Sequence, residues 1–345
     1  MIQAEFNVKS YLNKIYSGEN LSEDEAYAFM DNLTDGKLTD IEITAILASL
    51  GTRTPSSSEM SGCAKALLDK RVNFPTDNLN ISEIVGTGGD CKNSFNISSL
   101  SAIVASSCGA VVAKHGNRAV SSKSGAADFY SSLGINIMAD PNKSKELLEK
   151  TDFCFLMAPI YHGAMKYAAP VRKALGVKTI MNVLGPLTNP ARAKYMLLGV
   201  YSKDLLVPMA KAAKSLGAER IMTVYNEYGY DEITACGKNY TCTILEDGGI
   251  EENVMLSKQF FIENKSLNVV DLLGGTAEEN VQVAYKILNG KGNDTLTESI
   301  CMNAGALMYI SKKADSLYDG YKKCKESIMS GNALDKLQKI VHFSN

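Results

Sequence analysis

Apolar residues over positions 1–70 recur at the helical period, behind three similar starts. Ser22 with Glu25, Thr39 with Glu42, and Ser56 with Glu59 each form an S/T-x-x-E pattern, in which side chains satisfy the orphan amides of a helix start. Ala26, Phe29, Met30 and Leu33 follow the first; Ile43, Ile46, Leu47 and Leu50 the second; Met60, Ala64, Leu67 and Leu68 the third. Gly36 and Gly51 fall where the first two helices should stop. This reads as a small bundle whose apolar stripes need a partner, followed by a linker over Asn73–Asn80 with Pro75.

From Ile81 the pattern changes to short apolar runs alternating with helical stretches. Strands are expected at Ile81–Val85, Ala110–Ala113, Ile135–Met138, Phe153–Met157, Tyr195–Tyr201 and Arg220–Tyr225. Helices are expected over 97–108, from Ala126 to Leu133, after Asp140-Pro141, over 160–175 and over 203–217. Tyr240–Leu256 suggests a hairpin turning at Asp247-Gly248-Gly249, and 277–342 looks mostly helical. Such alternation implies parallel strands with right-handed crossovers. The expected fold is therefore α/β: a small N-terminal helical domain (1–72), then a large α/β domain (73–345) with a mostly parallel central sheet flanked by helices.

Composition narrows the function classes. A chain of 345 residues suggests about two domains, and 45% apolar with 21% charged residues describes an ordinary globular chain. Its 38 acidic and 36 basic residues leave a net charge of −2, which argues against a nucleic-acid or membrane-surface partner. No apolar run approaches the ~18 residues of a membrane span, and no leader pattern opens the chain. Eight cysteines without a CxxC pair fit a cytoplasmic protein with reduced thiols and no zinc site.

The densest chemistry lies in KHGNRAVSSKSGAAD, Lys114–Asp128. Lys114, His115, Arg118 and Lys123 are interspersed with Asn117, Ser121, Ser122 and Ser124, while Gly116 and Gly125 let backbone amides approach a ligand. Between a strand and a helix, such a loop suits a phosphate at the carboxyl edge of a sheet. A solvated charged loop is the plainer reading, but it needs neither the glycines nor the small donors. GTGGD (Gly86–Asp90) also joins a strand to a helix, and Asn96, Ser98 and Ser99 stand at that helix's start. A pyrophosphate could rest there, with Ser98 as a candidate Mg²⁺ ligand. Asp231-Glu232 could share Mg²⁺ with substrate phosphates, or be an ordinary exposed pair. Arg172, ten residues after His162, offers a planar fork for a carboxylate, although most such arginines are surface groups. GPLTNP (Gly185–Pro190) reads as a rigid connection or hinge.

Together, GTGGD, FNISS, KHGNRAVSSKSGAAD, APVRKALGVKTIMNVLGPLTNPA and GYDE closely resemble the anthranilate phosphoribosyltransferases of tryptophan biosynthesis. The resemblance runs from the N-terminal helices to at least Glu232; HGNR and LGPLTNP carry most of it. It implies that phosphoribosyl pyrophosphate (PRPP) is held by Gly86, Gly89, Asp90, Ser94, Asn96, Ile97, Ser98 and Ser99. The loop Lys114, His115, Gly116, Asn117, Arg118, Ala119, Val120, Ser121 and Ser122 surrounds the same ligand. It implies further that Asn117 and Arg172 receive anthranilate, with Gly86, His115, His162 and Gly185 near its path. Ser98, Asp231 and Glu232 match the ligands of Mg²⁺, with two ions expected. It also implies a homodimer joined through the small domains, and helices around 162–190 that rejoin the N-terminal bundle. Four departures stand out: Ala126 replaces a frequent serine, Gly163 a frequent proline, Tyr225-Asn226 a usual His-Gly pair, and Tyr230 a leucine.

The implied reaction is attack of the anthranilate amine on C1′ of PRPP with loss of pyrophosphate. An aryl amine is neutral at pH 7, so the burden falls on positioning and on stabilising the leaving group. Lys114 would offset pyrophosphate charge, Asn117 would orient the ring and Arg172 would clamp the carboxylate. Three other readings use the same residues: a pyrimidine nucleoside phosphorylase, a non-catalytic nucleic-acid-binding relative, and a phosphoribosyltransferase for another aryl amine. The HGNR and LGPLTNP stretches disfavour the first and the balanced charge disfavours the second.

Overall fold

The structure, a computed structural model, describes residues 6–76, 79–119, 123–262 and 266–345. Four helices open it: α1 (Val8–Tyr16), α2 (Glu23–Thr34), α3 (Asp40–Leu50) and α4 (Ser57–Asp69). The α/β region follows as β1 (Ser82–Gly86), α5 (Ile97–Ser107), β2 (Val112–Gly116), α6 (Ala126–Ser132), α7 (Pro141–Thr151) and β3 (Phe153–Met157). Short helices α8 (Ala158–Tyr161), α9 (Ala169–Leu175) and α10 (Met181–Leu184) come next. Then come β4 (Tyr195–Gly199), α11 (Leu206–Ser215), β5 (Arg220–Asn226), β6 (Asn239–Ile244) and β7 (Ile250–Met255). The chain closes with α12 (Ala277–Leu288), α13 (Asp294–Ile310), α14 (Leu317–Met329) and α15 (Asn332–Ser344).

All three N-terminal S/T-x-x-E patterns form reciprocal capping boxes, and every apolar residue assigned to those stripes is buried. Glu59 does more than cap α4. Its carboxylate also accepts the Leu21 amide at 2.9 Å and pairs with Arg53 at 2.6 Å. Gly36 ends α2 in the left-handed conformation, whereas Gly51 caps α3 with φ −70° and is not used that way.

The seven strands run in the order β3-β2-β1-β4-β5-β6-β7; β1 to β5 are parallel, and β6 and β7 complete an antiparallel edge. Both faces of the parallel part are covered, which is why β3 reads FCFLM with every residue buried. On one face Ile84, Val112, Phe155, Leu197 and Val224 pack with α5, α6 and the C-terminal helices. On the other, Ala113, Leu156, Met196, Leu198 and Ile221 share one apolar cluster with the N-terminal helices and α11. The bundle's stripes thus find their partner on the sheet side.

Three expectations need correction. The strand expected at Ala110–Ala113 runs instead from Val112 to Gly116, so Lys114 and His115 lie within a strand and not in a loop. Ile135–Met138 forms no strand; Ile135 and Ile137 are buried, but the segment is a turn leading to the Asp140 N-cap of α7. The helix expected over 160–175 is broken into α8, a 3₁₀ turn over Gly163–Tyr167, and α9, whose second residue is Pro170. This broken stretch meets the N-terminal region: Tyr161 accepts the Val72 amide at 2.9 Å, and Tyr167 packs over Gly36.

Candidate active site

The carboxyl ends of β1 and β4 flank the point where the strand order reverses, the usual ligand crevice of an open parallel sheet. Gly86 ends β1, Gly199 ends β4, and Asp231 sits against both. A Cβ on Gly86 would collide with the Asp231 carboxylate, and one on Gly199 with the Asp231 carbonyl oxygen. The Gly88 amide, in a left-handed turn at φ +65°, donates to Asp231 Oδ2 at 2.7 Å. Glu232 accepts the Ser98 amide at 3.1 Å, at the start of α5. Lys114 Nζ lies 3.3 Å from Ser98 Oγ and 2.5 Å from the carbonyl of Ile84. GTGGD, Ser98, Lys114 and Asp231-Glu232 therefore converge, although they come from four stretches of chain.

Electrostatically this centre is crowded. Burial and the neighbouring Asp90 push the Asp231 carboxyl up to about 7; burial and Asp231 push Glu232 up to about 8. Burial lowers Lys114, against the pull of Glu83, Glu232 and Asp231. Asp90 Oδ2 is buried with no hydrogen-bond partner among the described residues. A divalent cation would relieve this repulsion. Among the described residues no three His, Cys, Asp or Glu groups form a closed metal cage. Two carboxylates and a hydroxyl leave coordination positions for phosphate and water, which suits Mg²⁺.

The stretch Lys114–Asp128 divides its work. Lys114 and His115 are buried in β2. Arg118 pairs with Asp128 at 2.9 Å, and Asp128 also accepts the Ala119 and Gly125 amides, so one carboxylate ties the loop back on itself. Asn117 is exposed and its side chain caps the Arg118 amide. Val120, Ser121 and Ser122 lie outside the described residues. Asn96, at the start of α5, bonds both the Ser124 carbonyl and the Asn280 amide, linking the loop to α12. Ser94 pairs in a β-bridge with Leu273; Ile97 and Ser99 are buried. Gly89 is left-handed, and a Cβ on it would touch Lys178, whose ammonium lies over the Tyr201 ring.

A second group forms beside the first. The rings of His115 and His162 meet edge to face at 5.2 Å. His115 Nδ1 lies 3.3 Å from the Gly185 carbonyl and His162 Nε2 2.8 Å from that of Thr188. Burial, then the neighbouring His162, lowers His115 to about 3, so both its ring and that of His162 are neutral at pH 7. Arg172, half-buried on α9, makes no hydrogen bond to either group among the described residues, and burial lowers its pKa.

Sequence reasoning did not single out Glu83, Asn189, Lys178, Gly199 or Asn280. Asn189 carried a signal within GPLTNP; the others read as ordinary strand, loop or helix residues.

Comparison with known proteins fits this architecture. The α/β domain of a glycosyl transferase family matches residues 78–334, and that family's helical bundle domain matches 9–71. Fold and site therefore define a glycosyl transferase of this two-part build. Anthranilate phosphoribosyltransferase of Methanobrevibacter smithii is 39% identical, over 98% of this chain and 99% of its own. The crystal structure of the Thermus thermophilus enzyme superposes with a TM-score of 0.88 at 36% identity, covering 97% of this chain and 99% of that one. The Saccharomyces cerevisiae enzyme in complex with PRPP and Mg gives 0.87 at 28%, covering 99% and 98%. The chain belongs to the anthranilate phosphoribosyltransferase family.

Proposed function

We propose that this chain transfers the 5-phosphoribosyl group of PRPP to the amine of anthranilate, releasing pyrophosphate, the second step of tryptophan biosynthesis from chorismate. The observation that carries this reading is the meeting of Lys114, Ser98, the GTGGD turn and Asp231-Glu232 at the β1/β4 crevice. The amine nitrogen attacks C1′, the bond from C1′ to the pyrophosphate oxygen breaks, and the nitrogen then loses a proton. No nucleophile or triad is required, and the site's resources are donors and charge.

Gly86, Gly89, Asp90, Ser94, Asn96, Ser98, Ser99 and the Lys114–Ser122 stretch are assigned to PRPP. Lys114 would offset charge on the pyrophosphate, and burial strengthens an interaction of that kind. Ser98, Asp231 and Glu232 would hold Mg²⁺, two ions in our reading, which would neutralise charge on the departing pyrophosphate. Asn117 would orient the arylamine and Arg172 would clamp its carboxylate. Gly86, His115, His162 and Gly185 line the approach. The same reading gives a small domain (1–72) joined by the helices around 162–190, a large domain over 73–345, and a homodimer through the small domains. It also places the protein in the cytoplasm. Among the described residues no helix is long and apolar enough to cross a membrane.

The test is loss of anthranilate fluorescence with PRPP and Mg²⁺, each omitted in turn. Turnover should require all three components. Turnover of thymidine or uridine with inorganic phosphate, and none of anthranilate, would replace this reading with a phosphorylase.

A further inference from the structure

Parallel strands normally bond backbone to backbone, but β1 and β2 do so over very little of their length. They register at Ser82 and Val112, whereas β1 and β4 register over five residue pairs. Beyond Ser82 the backbone groups turn to side chains. The His115 amide donates to Glu83 Oε1 at 3.1 Å, and the Ile84 carbonyl accepts Lys114 Nζ. The Ala113 carbonyl accepts Asn189 Nδ2 at 2.7 Å. Asn189 Nδ2 also donates to Glu83 Oε2, and its Oδ1 accepts the Ala191 amide at 2.8 Å. Both polar atoms of the Asn189 side chain are thus satisfied, and its orientation is fixed. Both Glu83 and Asn189 are buried, at 0% and 3% exposure.

Asn189 belongs to the segment that positions the two imidazoles. The Gly185 carbonyl accepts from His115 Nδ1 and from both the amide and hydroxyl of Thr188. The Thr188 carbonyl accepts from His162 Nε2. A carbonyl only accepts, so this contact selects the Nδ1–H tautomer of His115. His115 Nε2 is then a buried lone pair with no hydrogen-bond partner among the described residues.

We infer that Glu83 and Asn189 are a positioning pair: wedged between β1 and β2, they anchor the 185–189 segment and thereby set the orientation of the His115 and His162 rings toward the arylamine. The inference rests on the proposed function, because it takes those rings to line the amine's path. Both are buried and act through the residues they hold. A carboxyl oxygen accepts a hydrogen bond whether or not it is protonated, while an amide nitrogen does not. Glu83→Gln therefore loses one acceptor, facing either the His115 amide or Asn189. Asn189→Ala frees the segment from the sheet.

The chain has only three histidines, so ¹⁵N NMR of labelled imidazoles resolves His115 directly. In the wild type it should be the Nδ1–H tautomer, and in Asn189→Ala a mixture. Asn189→Ala should raise the anthranilate KM about tenfold and leave the PRPP KM within about twofold, since the segment it frees holds the imidazoles; Glu83→Gln also removes the charge beside Lys114 and should raise both. The double variant should cost no more than the worse single, because the two act as one unit. An Nε2–H tautomer in the wild type overturns the inference, and that reading needs no variant. So do folded Asn189 variants with an unchanged anthranilate KM, or with both KM values raised equally, as a merely structural role would give. If Glu83→Gln fails to fold, Asn189→Ala and the milder Asn189→Ser carry the kinetics. Wild-type protein that does not consume anthranilate would instead remove the proposed function.

Discussion

At Gly199 a single hydrogen in place of a methyl group lets the Asp231 backbone lie against the end of β4. Gly199→Ala should shift Asp231 and lower turnover about a hundredfold, with a stability loss of about 1–3 kcal/mol from overpacking. Steady-state rates at saturating Mg²⁺, with thermal unfolding alongside, check this; an unchanged kcat would show that Asp231 need not sit there. Arg172 offers a different case, a half-buried cation without a hydrogen-bond partner among the described residues. Arg172→Ala should raise the anthranilate KM at least about tenfold while moving the PRPP KM by less than about twofold. Equal changes in both would sink the carboxylate clamp. At this scale the sequence disclosed residue types but not their backing. Asp231-Glu232 could be read as a metal pair from adjacency alone. Nothing in the local pattern announced that glycines from two other strands make room for it. Glu83 was harder still, because a glutamate inside ISEIV looks like the solvent side of a strand until Asn189, 106 positions later, is placed beside it.

Elements defined by local chemistry were legible, and those defined by distant packing were not. The capping boxes of α2, α3 and α4 involve residues three apart, so the chain displays them openly. The end of β2 was misread because a lysine and a histidine look like the start of a loop. Here burial of both is offset by Glu83, Ile84 and Gly185, none of which neighbours them in sequence. Ile135 and Ile137 misled in the opposite sense, as alternating apolar residues buried by a turn. Glu59 shows how far a local motif can be enlisted by its surroundings. Desolvation would raise its pKa, yet Arg53 and the amides of Ser56 and Leu21 outweigh that and hold it below its ordinary 4.5. A carboxylate with a lowered folded pKa contributes stability above its unfolded pKa and loses it as pH falls through the folded value. Glu59→Gln should therefore cost about 1–3 kcal/mol at pH 7, since it removes a buried carboxylate that pairs with the half-buried Arg53 guanidinium and accepts the Ser56 and Leu21 amides. The deficit should shrink below pH 4. Urea unfolding at both pH values measures it, and a constant deficit would exclude the ion pair as its source.

Across the whole molecule, the bundle and one face of the sheet share an apolar cluster, so ligand binding in the crevice and global stability are linked. PRPP with Mg²⁺ at a hundred times its Kd should stabilise the fold by about 2.7 kcal/mol. PRPP in EDTA should give much less. Differential scanning fluorimetry reads the contrast, and equal shifts with and without metal would separate the carboxylates from PRPP binding. The parallel direction of the strands followed from the alternation of elements, whereas their order and the β1/β2 wedge did not, the wedge because it depends on side chains replacing a ladder. The far margin of that sheet has its own consequence. β7, written IEENVM, exposes all but its last residue and carries Glu251, Glu252 and Asn253 along a rim that no strand among the described residues pairs. Like charges meeting across two such rims would repel, so the carboxylates act as gatekeepers against fibre growth. Valine at both positions should make concentrated solutions scatter light on standing, while clear solutions would mean that something else terminates the sheet.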